Sequence, residues 1–178
     1  MSEINDLPSG LAYKQDIISE SHESKLLEFI NSQQWQDSLK RKVQHYGFPY
    51  NYQTRKLDTE FIPIPPILLE LATELKIDEP KNIIINRYLP GEGIASHTDS
   101  YLFGDCISCL SLNSGIQIDF SNRNKDTSLY LLPRSLLTMS GDARREWKHG
   151  IVGRKSDYVN GKKILRRERI SITFRTLA

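Results

Sequence analysis

An all-β core flanked by α-helices, α+β in class, is what the sequence predicts. Two observations carry that expectation. From Asn82 onward, short runs of β-branched and other apolar residues recur, broken by Asn, Gly, Pro, Ser and Asp. Before that point, two segments carry apolar residues at helical spacing instead. Many short strands at close spacing suit a sandwich or barrel better than repeated β-α-β units. A length of 178 residues allows one domain and makes two full-sized ones unlikely.

The elements follow in chain order. Residues 1–10 read as a flexible N-terminus, and 11–178 as a single domain. In 20–33, Leu26, Leu27 and Ile30 recur at helical spacing behind a start signal of serines and Glu20. In 66–76, Pro66 suits a first helical turn, and Ile67, Leu68, Leu71 and Leu75 form one stripe. The strand-like runs are 83–89, 106–112, 115–120, 128–132, 135–140 and 168–175. Cys106 and Cys109 fall inside one of these runs. An offset of three puts their side chains on opposite faces of a strand, so they are expected to be half-buried strand residues without redox or metal role.

Composition excludes several classes. Two cysteines make no disulfide scaffold. The start, MSEINDLPSG, lacks the basic-then-apolar order of a signal peptide. The densest apolar stretch, 61–69, holds three prolines and falls short of the ~18 residues of a membrane span. A soluble protein of the cytoplasm or nucleus, without membrane contact, is expected. The net charge of +2 hides a gradient: residues 142–169 carry ten Lys/Arg against four Asp/Glu, a local balance of +6. That stretch is either a solvated loop or a face for a polyanion.

His97-Thr98-Asp99 is an H-x-D, for which about 0.5 chance matches are expected in this chain. On a strand the two side chains would share a face and reach one ion. His149, in Trp147-Lys148-His149-Gly150-Ile151, is a candidate third ligand. Two histidines and a carboxylate suit a non-haem Fe(II) oxygenase, or alternatively zinc with a bound water. In the last strand, Arg169, Ser171, Thr173 and Arg175 alternate with Ile170, Ile172 and Phe174. Its polar face either meets water or lines a barrel interior. There the two arginines, ~20 Å apart at Cα on a straight strand, would lean in around a small dicarboxylate. Asn86 and Tyr88, two apart, add hydrogen-bonding groups on one face.

Residues 40–52 interleave Lys40, Arg41 and Lys42 with Tyr46, Phe48, Tyr50 and Tyr52. An extended segment lines those aromatics along one face, beside cations, as stacking on an extruded base requires. The other reading makes them core at the mouth of the barrel. Arg41, Tyr46 and Arg144 are the expected substrate contacts.

The run from Asn86 to Asp99 resembles the metal-site segment of the AlkB family of Fe(II)/2-oxoglutarate dioxygenases. Gly141-Asp142-Ala143-Arg144 with Trp147 and His149-Gly150-Ile151 resembles its second histidine segment, and Arg169 to Arg175 its closing strand. Within the family, residues 106–120 and 132–151 are similar to the AlkB-type domain of the tRNA wobble-uridine hydroxylases. The resemblance implies a double-stranded β-helix, or jelly roll, with N-terminal helices packed on it and a catalytic core over about 82–175. It implies Fe(II) on His97, Asp99 and His149, with 2-oxoglutarate on Asn86, Tyr88, Arg169 and Arg175. O2 is then the second cosubstrate, succinate and CO2 are coproducts, and a C–H bond is hydroxylated. The implied substrate is a modified nucleobase, in RNA (tRNA favoured) or DNA. The same chemistry on a protein or small molecule is the alternative, and a non-catalytic nucleic-acid-binding module the third. A monomer is expected. Because the motifs run nearly end to end, substrate recognition is expected from the oxygenase domain itself.

Overall fold

A computed structural model describes residues 7–37, 41–51 and 53–178. Most of the expected flexible N-terminus, and Lys40 and Tyr52 of the basic-aromatic segment, lie outside the described residues. In chain order the elements are β1 (Leu11–Lys14), α1 (Glu20–Ser32), β2 (Lys42–Gly47), β3 (Tyr50–Asn51), β4 (Lys56–Leu57) and α2 (Pro66–Glu74). The β-rich part follows: β5 (Asn82–Tyr88), β6 (Ile94–His97), β7 (Phe103–Leu112), β8 (Ile116–Ser121), β9 (Asp126–Leu131) and β10 (Ser135–Met139). It closes with α3 (Gly141–Arg145), β11 (Lys148–Ile151), β12 (Ser156–Val159), β13 (Lys162–Leu165) and β14 (Arg169–Leu177).

Both expected helices form where their signals stand. Ser19 caps α1, its hydroxyl accepting the His22 N–H at 3.1 Å, and Pro66 occupies the first turn of α2. Their apolar faces, with Leu26, Ile30, Leu68 and Leu71, bury against Ile83, Ile85, Ile170, Ile172 and Phe174. Those five belong to one face of an antiparallel sheet ordered β1-β10-β7-β14-β5-β2. A second sheet, β6-β11-β8-β9, packs on the opposite face through Tyr88, Ile107, Leu137 and Met139 against Ile116, Ile118, Phe120 and Ile151. Two facing antiparallel sheets with helices outside one of them form the expected jelly roll.

Register decides what the inner face displays. Leu137, Cys109, Thr173, Ile84 and His45 form one row across five strands; Ser135, Ser111, Ser171, Asn86 and Val43 form the next. The polar side of β14 therefore points between the sheets and not into water. Cys106 and Cys109 are on opposite faces, exposed and half-buried respectively. No described helix is long and apolar enough to cross a membrane.

Candidate active site

The second sheet brings the H-x-D and the distant histidine together. His97 ends β6 and pairs directly with His149 on β11, with ring centroids 4.5 Å apart. Asp99 is not on the strand, so period-two alternation is not what unites it with His97. The chain leaves β6 after His97, and the carboxylate turns back with Oδ2 at 3.5 Å from His149 Nε2. One ligand atom from each of the three residues lies within 4.8 Å of the others. His97 Nδ1 is 2.8 Å from the Ala95 carbonyl, so Nδ1 is the donor there and Nε2 is the ring nitrogen left for a ligand.

Electrostatics prepare two of these groups, His149 and Asp99. Burial pushes His149 down to about 4, against the pull of Asp99, so its imidazole is neutral at pH 7 and can donate to a metal. Burial alone would raise the Asp99 carboxyl, but Arg175, then His149, His97 and Arg144, outweigh it and hold it below the ordinary carboxylate range. Arg175 Nη2 donates to Asp99 Oδ1 at 2.7 Å and leaves Oδ2 facing the histidines.

The larger sheet supplies the opposite wall. Arg169, 2% exposed, donates through Nη2 to Ser111 Oγ at 2.8 Å, and its guanidinium stands 5.5 Å from the Tyr88 ring centroid. Cys109 Sγ sits 4.0 Å from the same Nη2 and 3.6 Å from Thr173 Oγ1. The Arg41 guanidinium also stands by the Tyr88 ring, 5.6 Å from its centroid, and its Nε donates to Asn86 Oδ1 at 2.8 Å. Arg175 Nη1 donates to Asn82 Oδ1 at 3.1 Å, over the buried Phe103 ring.

Two buried guanidiniums, Arg41 and Arg169, and the largely covered Arg175 thus share this interior, and among the described residues Asp99 is the one carboxylate paired with any of them. Buried cations without matching anions are costly, and the Nε atoms of Arg169 and Arg175 have no hydrogen-bond partner. A small dicarboxylate corrects both deficits. The donor set facing it, two histidines and a carboxylate, suits Fe(II) with open positions. The residues present therefore fit both groups.

Two of the three expected substrate contacts are corrected. Tyr46 is 9% exposed and points toward the helices, packed in their cluster with its hydroxyl on Gln44 Oε1 at 3.2 Å. The spacing of two fails because Gly47 takes a φ of +78°, which breaks the extended run between Tyr46 and Phe48. Arg144 is 2% exposed and holds the chain itself. Its guanidinium donates to the carbonyls of Asp99 (3.0 Å), Ser100 (2.7 Å), Phe103 (3.2 Å) and Gly104 (3.3 Å). Arg41 is buried beside Tyr88 and Asn86, on the wall expected to hold 2-oxoglutarate.

The sequence reading missed His45. It shares the inner face with Val43, one residue from Tyr46 and of opposite parity. Its Nδ1 is buried without a partner, and burial, then Arg175 and Arg41, lower its pKa. Gln44 and Tyr46 against Val43 and His45 is an alternation visible in sequence, but nothing there says which pair faces the helices.

A family model described as the 2OG-Fe(II) oxygenase superfamily matches residues 5–175. An uncharacterized protein, L905, of Acanthamoeba polyphaga mimivirus is 37% identical over 183 residues, covering 95% of this chain and 85% of its own. The tRNA (carboxymethyluridine(34)-5-O)-methyltransferase ALKBH8 of Mus musculus is 39% identical over 171 residues, 86% of this chain. The chain spans only 26% of that relative. The alkylated DNA repair protein ALKBH8 homolog of Arabidopsis thaliana is 33% identical over 210 residues, 98% of this chain and 59% of its own. The solved structure of OsALKBH1 superimposes with a TM-score of 0.70 at 16% identity, covering 96% of this chain and 98% of that one, a likeness of fold.

Proposed function

The chain belongs to the 2OG-Fe(II) oxygenase superfamily, in its AlkB branch, and from that premise we propose that it hydroxylates or oxidatively demethylates a modified nucleobase, in RNA (tRNA favoured) or DNA. One observation carries the reading. The His97, Asp99 and His149 ligand atoms converge within 4.8 Å at one side of an interior whose other side holds a surplus of buried guanidinium charge.

In this reading His97, Asp99 and His149 hold Fe(II), and Asn86, Tyr88, Arg169 and Arg175 hold 2-oxoglutarate. Bound together, the two supply an oxidising equivalent from O2 for a substrate C–H bond, with succinate and CO2 as coproducts. The chain's own work is positioning. The Ala95 carbonyl fixes the His97 tautomer. Arg175 keeps Asp99 ionised and aims its second oxygen at the histidines. Arg169, flanked by Tyr88 and Ser111, presents a guanidinium edge that suits a carboxylate fork. Phe120 and Ile118 close the interior to water beside His149. Where the oxidised carbon is an N-methyl group, the hydroxymethyl product releases formaldehyde and leaves the bare base.

The nucleobase is supported by relatives named for tRNA and for alkylated DNA. The basic stretch supports it less than its balance of +6 suggests. Arg144, Arg166 and Arg169 are buried, Arg154 is bonded to Asp157, and Arg145 is paired with Asp105. Succinate formation by the iron-loaded protein, with and without tRNA and N-methylated oligonucleotides, tests the reading. Stimulation of at least tenfold by one of them is expected. Turnover indifferent to every nucleic acid, or stimulated by peptides alone, contradicts it.

A further inference from the structure

The segment between β6 and β7 is tied down at almost every residue except one. Arg144 holds the carbonyls of Asp99, Ser100, Phe103 and Gly104. The Leu102 N–H donates to Ser100 Oγ at 3.3 Å and the Phe103 N–H to the Ser100 carbonyl at 3.2 Å. The Leu102 carbonyl accepts the Ala178 N–H at 3.0 Å. Phe103 is buried beneath Arg175, with the Tyr50 ring 5.8 Å from its own. Between these anchors stands Tyr101, 76% exposed, the most exposed of the large apolar side chains described. Among the described residues its ring and hydroxyl meet no aromatic, cationic or hydrogen-bonding partner.

From this placement we propose that Tyr101 is a stacking platform for an unpaired nucleobase that flanks the reacting nucleotide. The proposal rests on the nucleic-acid reading above and deepens it. Tyr101 lies two residues beyond Asp99, so its Cα is within ~7 Å of the Asp99 Cα, beside the cluster of His97, Asp99 and His149. A single ring on a pinned backbone suits a base better than a protein partner, which would need a contiguous apolar patch. An enzyme that acts on an extruded or single-stranded base leaves its neighbours unstacked, and every base offers a π-face. Pinning lowers the ordering cost of the contact, because the backbone entropy is already lost on folding.

The test uses the Mn(II)-loaded protein with 2-oxoglutarate and a fluorescein-labelled anticodon stem-loop RNA, with binding followed by anisotropy across a salt series. Tyr101→Ala is expected to weaken binding about 5- to 100-fold, the range of one lost base–aromatic stack. Tyr101→Trp and Tyr101→Phe should restore most of it. The slope of log K against log salt should stay the same, because no phosphate contact is removed. Wild-type affinity in Tyr101→Ala overturns the proposal, as does a loss that neither aromatic variant restores or one that comes with a changed slope. Absence of RNA binding by the wild-type protein, in place of a loss confined to the variant, overturns the nucleic-acid reading and this inference with it. Equal thermal midpoints of the variants confirm that each is folded.

Discussion

Arg144 carries a charge that its sequence context offers to a phosphate, yet its guanidinium holds four carbonyls of one loop. Sequence shows the charge of such a residue but not its burial, and burial decides the role. Arg144→Met strands those buried carbonyls, so a loss of about 3 kcal/mol or more is expected, against ~1–3 kcal/mol for one unsatisfied group. At 2–4 °C per kcal/mol for a domain of this size, the melting midpoint should fall by roughly 6–12 °C, read by circular dichroism. His149 makes a pH prediction. Its native pKa of about 4 lies below its unfolded value, so the unfolded chain binds more protons between the two. Stability is then full above about pH 6.5 and declines as pH falls toward about 4. Thermal melts of the metal-free protein from pH 7.5 to 4.5 should show that decline, and His149→Phe should flatten it. The convergence of His97, Asp99 and His149, and the inward face of β14, were legible because their chemistry and spacing are unusual. Tyr46 was expected on the other face, and His45 gave no signal, because adjacent strand residues differ only in which face they meet.

At the scale of elements, the two helices and the long strands were readable from periodicity and caps. The shorter strands were not. β6 and β11 are four residues each, too short for a pattern, and they form because each pairs with the other at His97 and His149. The hairpin of β12 and β13 was also invisible, and its anchor is a buried charge cluster. Asp157 accepts Arg166 Nε and Nη2 at 2.8 Å each, Arg154 Nε at 2.8 Å and the Gln117 N–H at 3.2 Å. Arg166 also donates to the Val152 carbonyl at 2.7 Å, which ties the hairpin to the chain just beyond β11. Asp157→Ala leaves Arg166 buried and unpaired, at a cost of about 3–5 kcal/mol. Urea unfolding should register that loss, and limited proteolysis should cut between 152 and 168 in the variant before the wild type. Gly47 marks the end of β2 in a different way. At φ +78°, with an added Cβ 2.1 Å from the Lys81 carbonyl oxygen, Gly47→Ala should destabilise the edge strand, seen as faster amide exchange over 42–47.

For the whole molecule, composition bounded the answer without giving it. Net charge and the basic balance over 142–169 described a surface, but several of those cations lie inside or are paired. What the fold does with charge is to bury Arg41 and Arg169 and to set Arg175 on Asp99, beside His97 and His149. Only the long-range pairing of β14 with β5, and of β11 with β6, juxtaposes residues as distant in the chain as Tyr88 and Arg169, or His97 and His149. This interior is proposed to bind Fe(II) and 2-oxoglutarate together. Anaerobic addition of both to the protein tests it most directly, through the visible charge-transfer band that a 2-oxo acid chelated to iron(II) gives. The band is expected in the wild type, is expected to be lost in His97→Ala, and should require at least tenfold more 2-oxoglutarate in Arg169→Met. No band in the wild type, or an undiminished band in His97→Ala, would contradict it.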